Sequence, residues 1–271
     1  MATPLELGDV RLAYDVQGSG PPLLLLHGAE GNRRMFDALV PHLAEHFTTI
    51  AYDQRDCGET ENPARTCTLA ELADDAAALL RALGHRKAHV YGTSFGGRVA
   101  QALAHGHPGC VDRLVLGSTW PLPVALTDVN GENVRHILEL RAGLPETAEE
   151  LAAYFLPDAF LAAHPAMRAI FGNSPPRDER TRRRSSVIDE RPALLPGGLT
   201  MPTLLMVGDL DRVVPPSVTL DMAASMPRAT TLRLAGLGHA GALQDPQRVA
   251  SAIRCFCLAE GPAAGVKEMS R

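Results

Sequence analysis

Apolar residues in this chain gather in short runs of two kinds. Val10–Val16 alternates apolar and polar positions, as a half-exposed hairpin strand does. After Gln17-Gly18-Ser19-Gly20-Pro21-Pro22, Leu23–His27 opens with four consecutive leucines, the pattern of a strand covered on both faces. Similar short runs recur at Thr49–Tyr52, Ala88–Tyr91, Arg113–Leu116, Thr203–Val207 and Thr231–Leu234. Helical periodicity separates most of them. It is clearest over Leu69–Leu83, where Thr68 and Glu71 form a capping box and the apolar face runs through Leu69, Leu72, Ala76, Leu79 and Leu83. Gly84 is placed to end that helix. The alternation predicts an α/β fold, a mostly parallel central sheet with helices on both faces.

The rhythm breaks between about Trp120 and Met201. Ten of the 21 prolines fall in 121–202, and the apolar stretches Val134–Leu140, Ala148–Phe155 and Ala159–Ile170 read as short amphipathic helices with no strand among them. A structureless loop of that length is unusual inside a compact domain. The expected organisation is a core domain built from 1–120 and 201–271, with 121–200 inserted as a helical cap over the C-terminal edge of the sheet.

Composition narrows the class. The chain has 271 residues, 45% of them hydrophobic and 21% charged, enough to bury a sizeable core and too apolar for a disordered chain. A net charge of -5 argues against nucleic acid or an anionic membrane as partner. No apolar run approaches the roughly 20 residues that span a bilayer. Met1-Ala2-Thr3-Pro4-Leu5-Glu6 has neither a basic nor an apolar leader segment. The five cysteines form no CxxC pair, so disulfides and a zinc site are not expected, and buried or partly buried thiols in a reducing, cytoplasmic setting are. The sequence carries no signal for oligomeric state.

The chemistry concentrates in Ala88-His89-Val90-Tyr91-Gly92-Thr93-Ser94-Phe95-Gly96-Gly97. A short apolar strand runs into G-x-S-x-G, and Arg98–His105 follows as a helix. In that context Ser94 occupies a sharp strand-to-helix turn as a nucleophile, and Gly92 and Gly96 supply the clearance that such a turn needs. Gly97 lets the helix pack closely.

With this element the chain resembles the α/β-hydrolase fold family over nearly its whole length. His27-Gly28 is similar to the family's oxyanion loop. Asp53-Gln54-Arg55-Asp56-Cys57-Gly58-Glu59-Thr60 resembles the turn D-x-R-G-x-G-x-S, with Asp56 in place of glycine and Thr60 in place of serine. Gly208-Asp209-Leu210-Asp211 resembles the G-x-x-D segment that carries the acid, and Gly238-His239 the histidine loop. The order Ser94, Asp211, His239 is the family's order. Some members place the acid after the preceding strand, but here Gly117-Ser118-Thr119-Trp120 offers no carboxylate there.

The resemblance implies a role for each residue. A serine hydroxyl is a weak nucleophile until a base takes its proton, so His239 acts as base and then as acid. Asp211 orients the imidazole and stabilises its cation, while Asp209 serves loop amides or solvent. The backbone N–H groups of Ala29 and Phe95 form the oxyanion hole. The implied activity is a metal-free, cofactor-free serine hydrolase acting on a small-molecule ester, lactone or thioester, similar to enol-lactonases and small-molecule carboxylesterases. Ser94 excludes the aspartate nucleophile of the fold's dehalogenases and epoxide hydrolases. Carbon–carbon bond hydrolases and cofactor-free perhydrolases use the same triad, and a ligand-binding receptor of this fold is the reading from another class.

Other residues receive plainer expectations. His27 shapes its loop. His105 and His107 suit a helix C-terminus as cations. Glu30, beside the oxyanion residue, is expected to point outward, with contact to a polar substrate group as the alternative. Arg180-Thr181-Arg182-Arg183-Arg184 reads as a solvated helix face, since 177–191 holds six arginines against four carboxylates.

Overall fold

A computed structural model describes residues 3–29, 31–172 and 178–259. Its strands are β1 (Thr3–Leu7), β2 (Val10–Gln17), β3 (Pro22–Leu26), β4 (Thr48–Tyr52), β5 (Ala88–Thr93), β6 (Val111–Gly117), β7 (Thr203–Gly208) and β8 (Ala229–Leu234). They form one sheet in the order β1-β2-β4-β3-β5-β6-β7-β8. The pairs β1–β2 and β2–β4 are antiparallel and all others parallel. The helices of the core are α1 (Val40–Ala44), α2 (Leu69–Ala82) and α3 (Phe95–Gly106). Between β6 and β7 come α4 (Leu126–Ala142), α5 (Ala148–Phe155), α6 (Asp158–Ala163), α7 (Met167–Gly172) and α8 (Glu179–Ile188). The chain closes with α9 (Pro216–Asp221), α10 (Gly241–Gln244) and α11 (Pro246–Cys257).

The leucine run of β3 explains the layering. Side chains alternate across a strand, so Leu24 and Leu26 join the apolar layer beneath α2 and α3, while Leu23 and Leu25 join the layer beneath α1 and α11. All four are fully buried. At the start of α2, Thr68 N–H donates to Glu71 Oε2 at 2.9 Å and Glu71 N–H to Thr68 Oγ1 at 3.1 Å, so the capping box closes in both directions. Gly84 ends the helix at φ +81°.

Three details differ from the sequence expectation. β1 pairs with β2 as an extra edge strand. The stretch Ala159–Ile170 is two helices, α6 and α7, because Pro165 cannot continue α6 beyond His164. His105 is not poised as a cation, since partial burial pushes its imidazole below the usual value.

The turn after β4 accommodates its two departures from the family pattern. Thr60 Oγ1 donates to Asp53 O at 2.6 Å and accepts from Ala13 N–H at 3.0 Å, a role a serine hydroxyl could also fill. Asp56 adopts φ +60°, a left-handed conformation that favours glycine. Its carboxylate is recruited instead by Arg183 of α8, at 2.6 Å.

The helical insertion is fastened where it leaves and rejoins the sheet. Arg98 of α3 is fully buried and donates to Leu122 O at 2.6 Å and to Ile188 O and Glu190 O at 2.5 Å. Its guanidinium also lies 5.2 Å from the centre of the Trp120 ring.

Candidate active site

Ser94 follows β5, Asp211 follows β7 and His239 follows β8, so all three stand at the C-terminal edge of the sheet, where α/β folds place their ligands. Ser94 has φ +55° and ψ -125°, a conformation that costs a non-glycine residue about 1–3 kcal/mol. The surroundings impose it. Ser94 N–H donates to Gly117 O at 2.9 Å, and Ser94 O accepts from Gly97 N–H at 3.0 Å and Thr119 Oγ1 at 2.7 Å. A Cβ at Gly96 would collide with the carbonyl oxygen of Leu26, and one at Gly92 with that of Gly96. The turn therefore closes only with glycine on each side of the serine.

Ser94 Oγ lies 3.0 Å from His239 Nε2. His239 Nδ1 lies 3.0 and 2.9 Å from the two carboxylate oxygens of Asp211. A carboxylate only accepts, so Nδ1 carries the proton and Nε2 presents its lone pair to the serine hydroxyl. Asp211 is held in turn, because its Oδ1 accepts from the N–H groups of Val213 and Val214, both at 2.9 Å. Asp209 is exposed, and its Oδ1 accepts from Gly236 N–H at 2.7 Å, away from the imidazole.

Phe95 directly follows the serine, and Ala29 follows Gly28 in the loop after β3. Phe95 is the first residue of α3, where an N–H has no partner within the helix. Gly28 brings the β3 loop alongside, since a Cβ there would stand 3.6 Å from Ser94 Cβ. Among the described residues neither Ala29 N–H nor Phe95 N–H meets an acceptor. His27 braces this loop and stays out of the triad. Its Nδ1 donates to Gly28 O at 2.8 Å and its Nε2 accepts from Gln54 N–H at 3.1 Å. Full burial, aided by Arg184, pushes its imidazole down to about 3, so it is neutral. Glu30 lies outside the described residues.

The arginine run corrects the sequence reading. Arg180, Arg183 and Arg184 turn inward, and of the four arginines only Arg182 is exposed. Arg180 donates to Thr60 O at 3.1 Å and Arg183 pairs with Asp56. Arg184 is 2% exposed and donates from Nε to Ala29 O at 3.0 Å. Sequence reasoning missed these contacts, though the spacing 180, 183, 184 already puts them on one helix face. The insertion also reaches the histidine and acid loops. The Phe155 ring centre is 5.6 Å from that of His239, and Phe155 O accepts from Ala240 N–H at 3.0 Å. Asn130 Nδ2 and Asn133 Nδ2 each donate to Arg212 O at 2.9 Å. Among the described residues no three His, Cys, Asp or Glu side chains gather as a metal-ion set would, and no helix is long and apolar enough to cross a membrane.

A mostly parallel sheet of this order, with a strained serine between strand and helix and a histidine and an aspartate on later loops, defines the alpha/beta hydrolase fold. Residues 21–246 match that family, and the chain belongs to it. It is 34% identical over 151 residues to the soluble epoxide hydrolase of Corynebacterium sp. (strain C12), which covers 52% of this chain and 50% of that protein. The chain spans about half the length of the first curated relatives it matches. A thermophilic esterase from Thermogutta terrifontis, solved with malate bound, superposes with a TM-score of 0.79 at 30% identity, over 94% of this chain and 97% of that one. The enol-lactonase from Burkholderia xenovorans LB400 gives 0.81 at 20% identity over 95% and 100%, a likeness of fold.

Proposed function

We propose that the protein is a metal-free serine hydrolase that cleaves a small-molecule ester, lactone or thioester. The observation that carries this reading is the unbroken path from Ser94 Oγ through His239 to Asp211, with hydrogen-bond distances of 2.9–3.0 Å. Ser94 Oγ attacks the carbonyl carbon while its proton passes to His239 Nε2. The carbonyl oxygen takes up the negative charge facing Ala29 N–H and Phe95 N–H. On collapse the bond to the leaving group breaks, and His239 returns the proton to it. Water then attacks the acyl-serine by the same route in reverse, releasing the acid and restoring Ser94.

The segment 121–200 serves as a cap over this site, and Phe155 beside His239 supports that assignment. Similarity to the Thermogutta terrifontis esterase over 94% of the chain supports ester substrates ahead of the epoxide and organohalide of two curated relatives. Ser94, in place of an aspartate nucleophile, points the same way. Five unpaired thiols support a reducing compartment. The test is a panel of esters, lactones, thioesters and a coloured dienoate, with fluorophosphonate labelling, run on the native protein and Ser94→Ala. The native protein should turn over one of the acyl substrates with a pre-steady-state burst and take up the probe, and Ser94→Ala should do neither. Equal labelling of both proteins would sink the serine reading, and bleaching of the dienoate alone would move it to carbon–carbon hydrolysis.

A further inference from the structure

Among the described residues Arg184 is a buried cation without a counter-ion. It is 2% exposed, and among the described residues no carboxylate lies within ion-pairing distance of it and its Nη1 has no partner. Burying a charge unpaired is costly, and proteins rarely retain the arrangement without compensation. The remaining contacts show where the guanidinium is directed. Nε donates to Ala29 O at 3.0 Å, and the guanidinium carbon lies 4.4 Å from the centre of the Phe95 ring. One side chain thus touches both residues whose N–H groups face the reacting carbonyl in the serine reading. Nη2 donates to Gln54 Oε1, and Gln54 Nε2 donates to His27 O at 2.9 Å. The bonds run from Arg184 through Gln54 to His27 and frame the irregular loop that leads through Gly28 to Ala29.

We propose that Arg184 is the positioning residue of the oxyanion hole: it fixes Ala29 against Phe95 and holds an unneutralised positive charge behind them for the negative charge that develops on the substrate oxygen. The proposal rests on the serine reading. A planar guanidinium fixes several donor directions at once, which a loop containing glycine cannot do for itself. Its charge is itself buried, 4.4 Å from the Phe95 ring, where electrostatic effects are stronger than in water. Because Arg184 belongs to α8, the hole is completed only when the cap is seated on the core. Arg98 is likewise buried on backbone carbonyls alone, so it is the contacts of Arg184 with Ala29 and Phe95, not the missing counter-ion, that point its charge at the developing oxyanion.

The test uses p-nitrophenyl acetate turnover and an aryl trifluoromethyl ketone, whose hemiketal oxygen occupies the hole. Arg184→Met keeps the length of the side chain and removes the charge and donors, while Arg184→Lys keeps the charge and a donor group but loses the planar fork. Deleting a direct oxyanion donor costs about 10²–10³ in kcat, so a residue acting one bond further away should cost Arg184→Met about 10- to 100-fold. KM should stay within about threefold, because ground-state binding is untouched. Affinity for the ketone should fall by the same factor as kcat, and Arg184→Lys should recover part of both. Native kcat and ketone affinity in Arg184→Met would overturn the proposal, as would a rise confined to KM. Should the Met variant fail to fold, the Lys variant decides: a lowered kcat at unchanged KM supports the proposal, and native kcat overturns it. Ser94→Ala in the same assay separates the two readings. Its retention of activity would remove the serine reading and Arg184 with it, whereas an inactive Ser94→Ala beside a native-like Arg184→Met overturns the Arg184 role alone.

Discussion

Asp56 and Arg183 are joined by a 2.6 Å ion pair that ties the turn after β4 to the last helix of the insertion. The Asp56 carboxylate is 1% exposed and the Arg183 side chain 15%, so the pair is only partly screened by solvent. It also accounts for an aspartate at φ +60°, where glycine would be unstrained. Asp56→Ala keeps the strain and loses the pair, and should cost about 2–3 kcal/mol. Asp56→Gly should cost less, because relief of strain offsets part of the loss. Urea denaturation of Asp56→Ala, Arg183→Met and the double variant would measure the coupling, expected at about 1 kcal/mol or more. Additive effects would mean that the pair contributes nothing.

Asp211 and Asp209 are separated by function in the same loop. Asp211→Asn should lower kcat by up to about 10⁴, since an amide leaves the imidazolium without its charge partner and favours the wrong tautomer. Asp209→Asn should stay near native activity, because an amide oxygen still accepts the Gly236 N–H. Steady-state kinetics on both folded variants checks this, and the reverse ranking would reassign the acid.

Phe155 and Phe160 should differ in their effect on specificity. The Phe155 ring stands 5.6 Å from the His239 ring, whereas Phe160 stacks at 4.4 Å on His164 within a side cluster of the insertion. Phe155→Ala should shift the ratio of kcat/KM between short and long p-nitrophenyl esters by about tenfold or more. Phe160→Ala should lower stability and leave that ratio near its native value. An unchanged ratio in folded Phe155→Ala would show that Phe155 does not set acyl-chain preference.

His27 makes the fold sensitive to acid. Its imidazole value is pushed down to about 3 in the folded chain, against about 6.5 when exposed. Between these limits the unfolded chain binds a proton that the folded chain does not, so stability rises with pH across the window. The contribution is complete above about pH 6.5 and is lost, at up to about 1.4 kcal/mol per pH unit, as pH falls toward 3. Burial lowers His89 in the same direction. Urea midpoints at about pH 7 and 4.5 should therefore fall less steeply for His27→Gln than for the native protein. Parallel declines would show that His27 does not titrate on unfolding.

The strands buried on both faces are legible in the sequence because burial leaves them uniformly apolar, as in Leu23-Leu24-Leu25-Leu26. β1 is not, since Thr3–Leu7 contains a proline and pairs only with β2 at an open edge, so no second neighbour constrains its pattern. The candidate site is legible where a local backbone demand selects residue types, as glycine is selected on both sides of Ser94. The arginines of α8 are harder to read. Composition makes a charged run look solvated, and only its partners, the carbonyls of Ala29 and Thr60 and the carboxylate of Asp56, turn it inward. Those partners lie more than a hundred residues earlier in the chain.

Arg98 has a consequence for how such proteins diversify. By holding Leu122 O together with Ile188 O and Glu190 O, one guanidinium closes the point of departure and the point of return into a single ring. The ends of the insertion are therefore held independently of the contacts its helices make further in, through Asn130, Phe155, Arg183 and Arg184. An exchange cut between Leu122 and Ile188 leaves all three carbonyls on Arg98 in the host, although it gives up the Arg183 and Arg184 contacts. One cut outside them strands a buried cation against the serine's own helix.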